Sequence, residues 1–130
     1  ALEGETHFTK ANDQILVAVQ IEDIESVNNI DEILSVEGID AAFIGPYDLS
    51  ASMGITAQFD HPNYTGARDK ILESCQRNNV VPGIHIVQPN PNEAIERIKD
   101  GFNLLAYSLD ITMVQKACIE GLSEIRETIS

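Results

Sequence analysis

The chain has 130 residues, enough for one domain with a modest core. Hydrophobic residues make up 43% and charged residues 22%, the balance of an ordinary globular protein. A formal net charge of −13 argues against nucleic acid and anionic membrane as partners, since both need a basic face; it suits a protein that collects a cation, or simply an acidic surface.

In chain order, residues 1–14 read as a lead-in. Ile15 to Ile21 (ILVAVQI) then reads as a strand, β-branched and bounded by polar segments. A helix follows, with Asn29 as its cap, Glu32 three residues later, Ile30, Ile33 and Leu34 on one face, and Gly38 as its stop. The second strand is Asp40 to Ile44. After a long loop, a helix runs from near Pro62 to about Asn78 with Ala67, Ile71, Leu72 and Cys75 inward. The third strand spans Val80 to Val87. Asn90-Pro91-Asn92-Glu93 supplies a cap, a proline at the first helical position and an acid in the first turn of a helix that Gly101 ends. The fourth strand is Asn103 to Ser108. Asp110 caps a last helix with Ala117, Cys118, Leu122, Ile125 and Ile129 inward.

Cys75 and Cys118 each fall among apolar residues at helical spacing and read as reduced core thiols. No apolar run approaches the ~20 residues of a membrane span. The polar opening ALEGETHFTKAND does not read as a signal peptide, so the expected compartment is the cytoplasm.

Strand and helix thus alternate four times over a single domain, residues 1–130, an α/β pattern of parallel strands with right-handed crossovers. Near-continuous apolar strands agree with a parallel sheet. Two architectures fit: a small open sheet, or part of a (βα)8 barrel, which needs about 250 residues and of which this chain would supply half. In either one the carboxyl ends of the strands carry the chemistry. Glu22 stands there after the first strand and Asp48 in the loop after the second. Neighbouring strands lie ~4.8 Å apart, so both carboxylates can reach one hard cation such as Mg²⁺ or Mn²⁺. Gln20 projects on the same side as Glu22. Gly45 and Pro46 permit a tight turn that presents the backbone N–H groups of Tyr47 and Asp48 to an anion. Plainer roles compete: Glu22 as an exposed acid at a helix start, and Asp48 as the cap of a short segment Leu49 to Met53.

The runs VQIED, GIDAAFIGPYDLSASMGI and GF..LAYSLD resemble the HpcH/HpaI aldolase family, the metal-dependent class II pyruvate aldolases, over nearly the whole chain. The resemblance implies four βα units forming the C-terminal half of a (βα)8 TIM barrel of the phosphoenolpyruvate/pyruvate type. It implies Glu22 and Asp48 as ligands of a divalent ion (Mg²⁺ or Mn²⁺, with Co²⁺ also suitable). Gln20 then contacts substrate, and the amides of Tyr47 and Asp48 hold the carboxylate of a small 2-oxo acid. The implied reaction splits 4-hydroxy-2-oxo acids into pyruvate, or a related 2-oxo acid, and an aldehyde. The family's base histidine, its orienting acid and its arginine belong to the first half of the barrel, to which no part of this sequence corresponds. His7 and His61 read as surface or capping residues. His85 faces either a barrel interior or a helix and reads as structural, and Arg68, Arg77, Arg97 and Arg126 read as solvent-facing.

Four βα units leave two strand edges and one wall unpartnered, so the expected partners are further copies of the chain or a separate N-terminal half-barrel. The competing function is a non-catalytic half-barrel that binds metal or keto acid, or serves only in assembly.

Overall fold

The computed structural model describes residues 10–11 and 14–129. Most of the lead-in, and His7 with it, lies outside the described residues. Four short strands, β1 (Ala18–Ile21), β2 (Ala41–Ile44), β3 (Val81–Ile86) and β4 (Leu104–Tyr107), form one parallel sheet in sequential order. Sequential order is the arrangement of a barrel wall; a doubly wound sheet reverses its strand order at a switch point.

The two faces of this sheet differ. Ile21, Ala42, Ile44 and Ile84 point to one side and are buried beneath the helices. The covering layer is α1 (Ile24–Asn28), α2 (Ile30–Leu34) and the long α4 (Pro62–Asn78). Burying Ile71 at the centre of α4 contributes about 1.5–3 kcal/mol. On the other side stand Gln20, Phe43, Gly83, His85, Leu104 and Ala106, none of which belongs to the core. This is the inner face, and no helix lies across it among the described residues. Gly83 is glycine for a reason: a Cβ there would stand 2.8 Å from Phe43 Cδ2 and 3.2 Å from Leu104 Cβ.

Several expectations require correction. The first strand begins at Ala18, because Val17 is tied instead to Asp40, whose carboxylate takes the Val17 N–H at 2.8 Å. The expected single helix after it is two. Asp23 caps α1 by accepting the Glu25 N–H at 2.7 Å, whereas the Asn29 side chain turns back to Glu25 O and caps nothing. Ile30 and Leu34 are buried as expected, but the helix ends at Ser35, and Gly38, at φ +93°, lies in the turn beyond it rather than stopping it. α4 starts at Pro62 with the His61 ring accepting the Asn63 N–H, the capping role read from sequence. α5 (Pro91–Lys99) has the expected Asn90 cap.

The largest departure is α6 (Asp110–Ile129), in which no residue is buried. Leu122, Ile125 and Ile129, expected inward, are more than half exposed, and Cys118 is exposed while Cys75 is buried. The helix is held near its start, where Lys116 Nζ donates to Pro89 O, and then runs clear of the sheet. Its periodicity is that of a packed helix, but the described residues supply no surface against it.

Candidate metal and substrate site

The carboxyl edge of the sheet is built by register. Ile21 pairs with Ile44 and Ile44 with Ile84, so the next residues, Glu22, Gly45 and His85, share one row. Gly45 bears no side chain. The Gln20 amide donates to Glu22 Oε2 at 2.6 Å, and that pair leans over the gap: a Cβ on Gly45 would stand 3.1 Å from Gln20 Nε2 and 3.3 Å from Glu22 Oε2.

Gly45 is also the N-cap of α3 (Pro46–Ser52), with Pro46 at its first position. Asp48 therefore lies in the first turn of α3 rather than capping it, a correction to its plainer reading. The turn leaves the N–H groups of Tyr47 and Asp48 without intrahelical acceptors, and no side chain caps them. Leu49 N closes the first helical bond, to Gly45 O. Two serines of the DLSAS run fix this turn. Ser52 Oγ accepts the Ile24 N–H at 3.0 Å, joining the segment after Glu22 to the helix that carries Asp48. Buried Ser50 donates to Tyr47 O and accepts from Ala57 N.

Gln20, Glu22, Tyr47 and Asp48 thus gather at one corner of the sheet, and all four are exposed. Among the described residues no ion pair neutralises Glu22 or Asp48. Two uncompensated carboxylates beside a residue without a Cβ fit a hard divalent ion. No group of three or more His, Cys, Asp or Glu side chains assembles among the described residues, so water and ligand oxygens would complete the shell, as Mg²⁺ commonly requires.

Tyr47 directs its ring away from the row, edge-on to Phe59 at 5.1 Å. Phe59 in turn packs on buried Tyr64, whose hydroxyl is pushed up to about 12 by burial. A cleft of about 410 Å³ opens alongside, bounded by Tyr47, His85, Arg68 and Arg97. Arg68 and Arg97, expected in solvent, are mostly buried, and both pair with Asp100. His85 is half-buried on the inner face, in the row of Glu22; its alternation with Ile84 and Ile86 carried that signal once the strand register was known.

Comparison with known proteins agrees with this fold. The chain is 38% identical over 111 residues to a 4-hydroxy-2-oxo-heptane-1,7-dioate aldolase of Escherichia coli, a match covering 85% of this chain and 42% of that protein. It superposes on an HpcH/HpaI aldolase of Desulfitobacterium hafniense with a TM-score of 0.84 at 32% identity, covering 92% of this chain and 46% of the other. An HpcH/HpaI aldolase/citrate lyase family protein of Burkholderia cenocepacia gives a TM-score of 0.85 at 29% identity, with the same coverage. The chain spans less than half the length of these three relatives. Its four βα units correspond to half of their TIM-barrel fold. With residues 2–117 matching the family profile as well, the chain belongs to the HpcH/HpaI aldolase/citrate lyase family.

Proposed function

We propose that this chain supplies the metal-binding and 2-oxo-acid-binding half of a carbon–carbon lyase that splits 4-hydroxy-2-oxo acids into pyruvate, or a close relative, and an aldehyde. The observation that carries this reading is the Gln20–Glu22 pair leaning over Gly45 at the start of the helix that bears Asp48.

In this reading Glu22 and Asp48 hold Mg²⁺, Mn²⁺ or Co²⁺. An ion held there would supply Lewis-acid chemistry at the keto oxygen of the substrate. The amides of Tyr47 and Asp48 receive the substrate carboxylate, aided by the positive end of α3. Gln20 orients Glu22 through its 2.6 Å hydrogen bond and presents its amide to the same ligand. The proton-transfer residues come from chain that covers the bare inner face, either a separate N-terminal half-barrel or further copies of this chain. The uncovered face, the two edge strands β1 and β4, and the exposed apolar side of α6 all favour such assembly.

The test is turnover. The isolated chain with Mn²⁺ is expected to leave 4-hydroxy-2-oxo acids intact, and addition of a relative's first half-barrel is expected to start cleavage. Turnover by the isolated chain would refute the assignment of proton transfer to other residues. Binding of metal and pyruvate without turnover in any combination would favour the non-catalytic reading.

A further inference from the structure

Two hydrogen bonds close a bracket around the corner that bears the two carboxylates. The ladder between β1 and β2 ends where the Gly45 N–H donates to Ile21 O at 3.2 Å. Beyond that point the two segments part, one into α1 and the other into α3. They are tied again where the Ile24 N–H donates to Ser52 Oγ at 3.0 Å. Glu22 lies between these ties on one arm, and Asp48 lies between them on the other. No other hydrogen bond joins residues 22–24 to residues 46–52 among the described residues.

Ser52 is oriented for its contact. Its own hydrogen goes to Leu49 O at 2.8 Å, one turn back in α3, which leaves a lone pair for the Ile24 N–H. Leu49 is fully buried and directly follows Asp48, so the hydroxyl grips the residue next to the carboxylate. Ile24 opens α1, and its N–H is a donor that its own helix cannot satisfy; the Asp23 carboxylate is taken up by the Glu25 N–H. The relay from Ile24 N–H through Ser52 Oγ to Leu49 O therefore runs from the arm of Glu22 to the arm of Asp48, each bond polarising the next. Ser52 is exposed, so water can serve either partner and the bond adds little to the stability of the fold. What it fixes is where one arm stands against the other.

That placement bears on which ion is held. Mg²⁺ demands a near-ideal octahedron with oxygens at about 2.0–2.1 Å, whereas Ca²⁺ takes them at about 2.3–2.6 Å in flexible shells, so rigid ligands discriminate and loose ones do not. We propose that Ser52 is a positioning residue that sets ion selectivity: by tying the start of α1 to α3 it holds Glu22 and Asp48 in an arrangement that favours Mg²⁺ and Mn²⁺ over Ca²⁺. The inference rests on the proposed function, which gives both carboxylates to one ion.

Mn²⁺ titration followed by paramagnetic resonance, then displacement of the bound Mn²⁺ by Ca²⁺, tests this on the wild type, Ser52→Ala and Ser52→Thr, with a circular-dichroism melt of each. The wild type is expected to prefer Mn²⁺ to Ca²⁺. Ser52→Ala should lower that preference about two- to tenfold, the span of one net hydrogen bond, through weaker Mn²⁺ binding, with Ca²⁺ affinity and the melt little changed. Ser52→Thr keeps the hydroxyl and should keep the wild-type preference. Ser52→Cys, close in shape but a weak acceptor, serves if the alanine variant does not fold. A ratio of Mn²⁺ to Ca²⁺ affinity unchanged by loss of the hydroxyl, or a folded threonine variant that loses it as alanine does, overturns this inference alone. Absence of Mn²⁺ binding by the wild type overturns the proposed function, and this inference with it.

Discussion

A methyl group at position 45 would stand 3.1 Å from Gln20 Nε2 and 3.3 Å from both Cβ and Oε2 of Glu22. Those contacts are tighter than van der Waals neighbours normally allow, so in Gly45→Ala the Gln20–Glu22 pair must retreat by a few tenths of an ångström. The backbone itself has no objection, since φ −90° and ψ 94° are open to alanine. Restricting the unfolded chain stabilises the variant by about 0.4–1 kcal/mol, and replacing glycine by alanine as N-cap costs about 1 kcal/mol in the other direction. The side chains that move are exposed and free to swing outward. Thermal stability should therefore stay within about 1 kcal/mol of the wild type. Metal binding should not. Glu22 would leave its place in the row, and disturbing the partner of a metal ligand typically weakens affinity ~10–100-fold. The assay pairs a circular-dichroism melt with Mn²⁺ titration followed by the paramagnetic resonance of the free ion. An unchanged melt with at least tenfold weaker Mn²⁺ binding is expected. A folded variant that binds Mn²⁺ as tightly as the wild type would refute the reasoning.

Gly83→Ala is the contrasting glycine: its Cβ would meet Phe43 at 2.8 Å and the Leu104 Cβ at 3.2 Å, so it should destabilise the fold by about 1–3 kcal/mol in a urea melt. Asp31 joins α2 to α4; the Ser74 hydroxyl and then the Arg77 guanidinium hold its carboxyl below the usual value of 3.8. A folded value below the unfolded one gives stability that is fully present above the unfolded value and fades as pH falls through the folded one. The gap in melting temperature between wild type and Asp31→Asn should thus be open at neutral pH and close in acid; a gap that widens in acid would show the coupling to be absent. Burial pushes the Cys75 thiol up to about 11, whereas Cys118 is exposed on α6. Iodoacetamide should modify Cys118 quickly and Cys75 only on unfolding; protection of Cys118 that is lost on dilution would reveal a partner covering α6.

The sequence carried the strands and their order because β-branched runs alternate with well-capped helices. Asn90-Pro91 and Gly101 mark their helix unambiguously, and Pro62–Asn78 is as expected. That Glu22 and the turn before Asp48 stand at the same edge of the sheet was legible because residues that follow strands in a parallel sheet collect there. What escaped notice depends on distant register or on partners. Asp23, not Asn29, is a working cap, a competition settled by which side chain reaches a free N–H. His85 shares a row with Glu22, which requires two ladders to be known at once. Arg68 and Arg97 converge on Asp100 from two helices, a contact that no local pattern reveals. The apolar stripe of α6 has the spacing of a buried face, but its residues are exposed among the described residues, because periodicity reports amphipathicity and not what lies against it.

The metal corner itself is tested most directly by Mn²⁺ titration of the wild type, Glu22→Gln and Asp48→Asn, with free Mn²⁺ read by paramagnetic resonance. One ion bound per chain in the wild type, with loss of that binding in both variants, is the predicted result. Mn²⁺ affinity that survives either substitution unchanged would contradict a site shared by these two carboxylates.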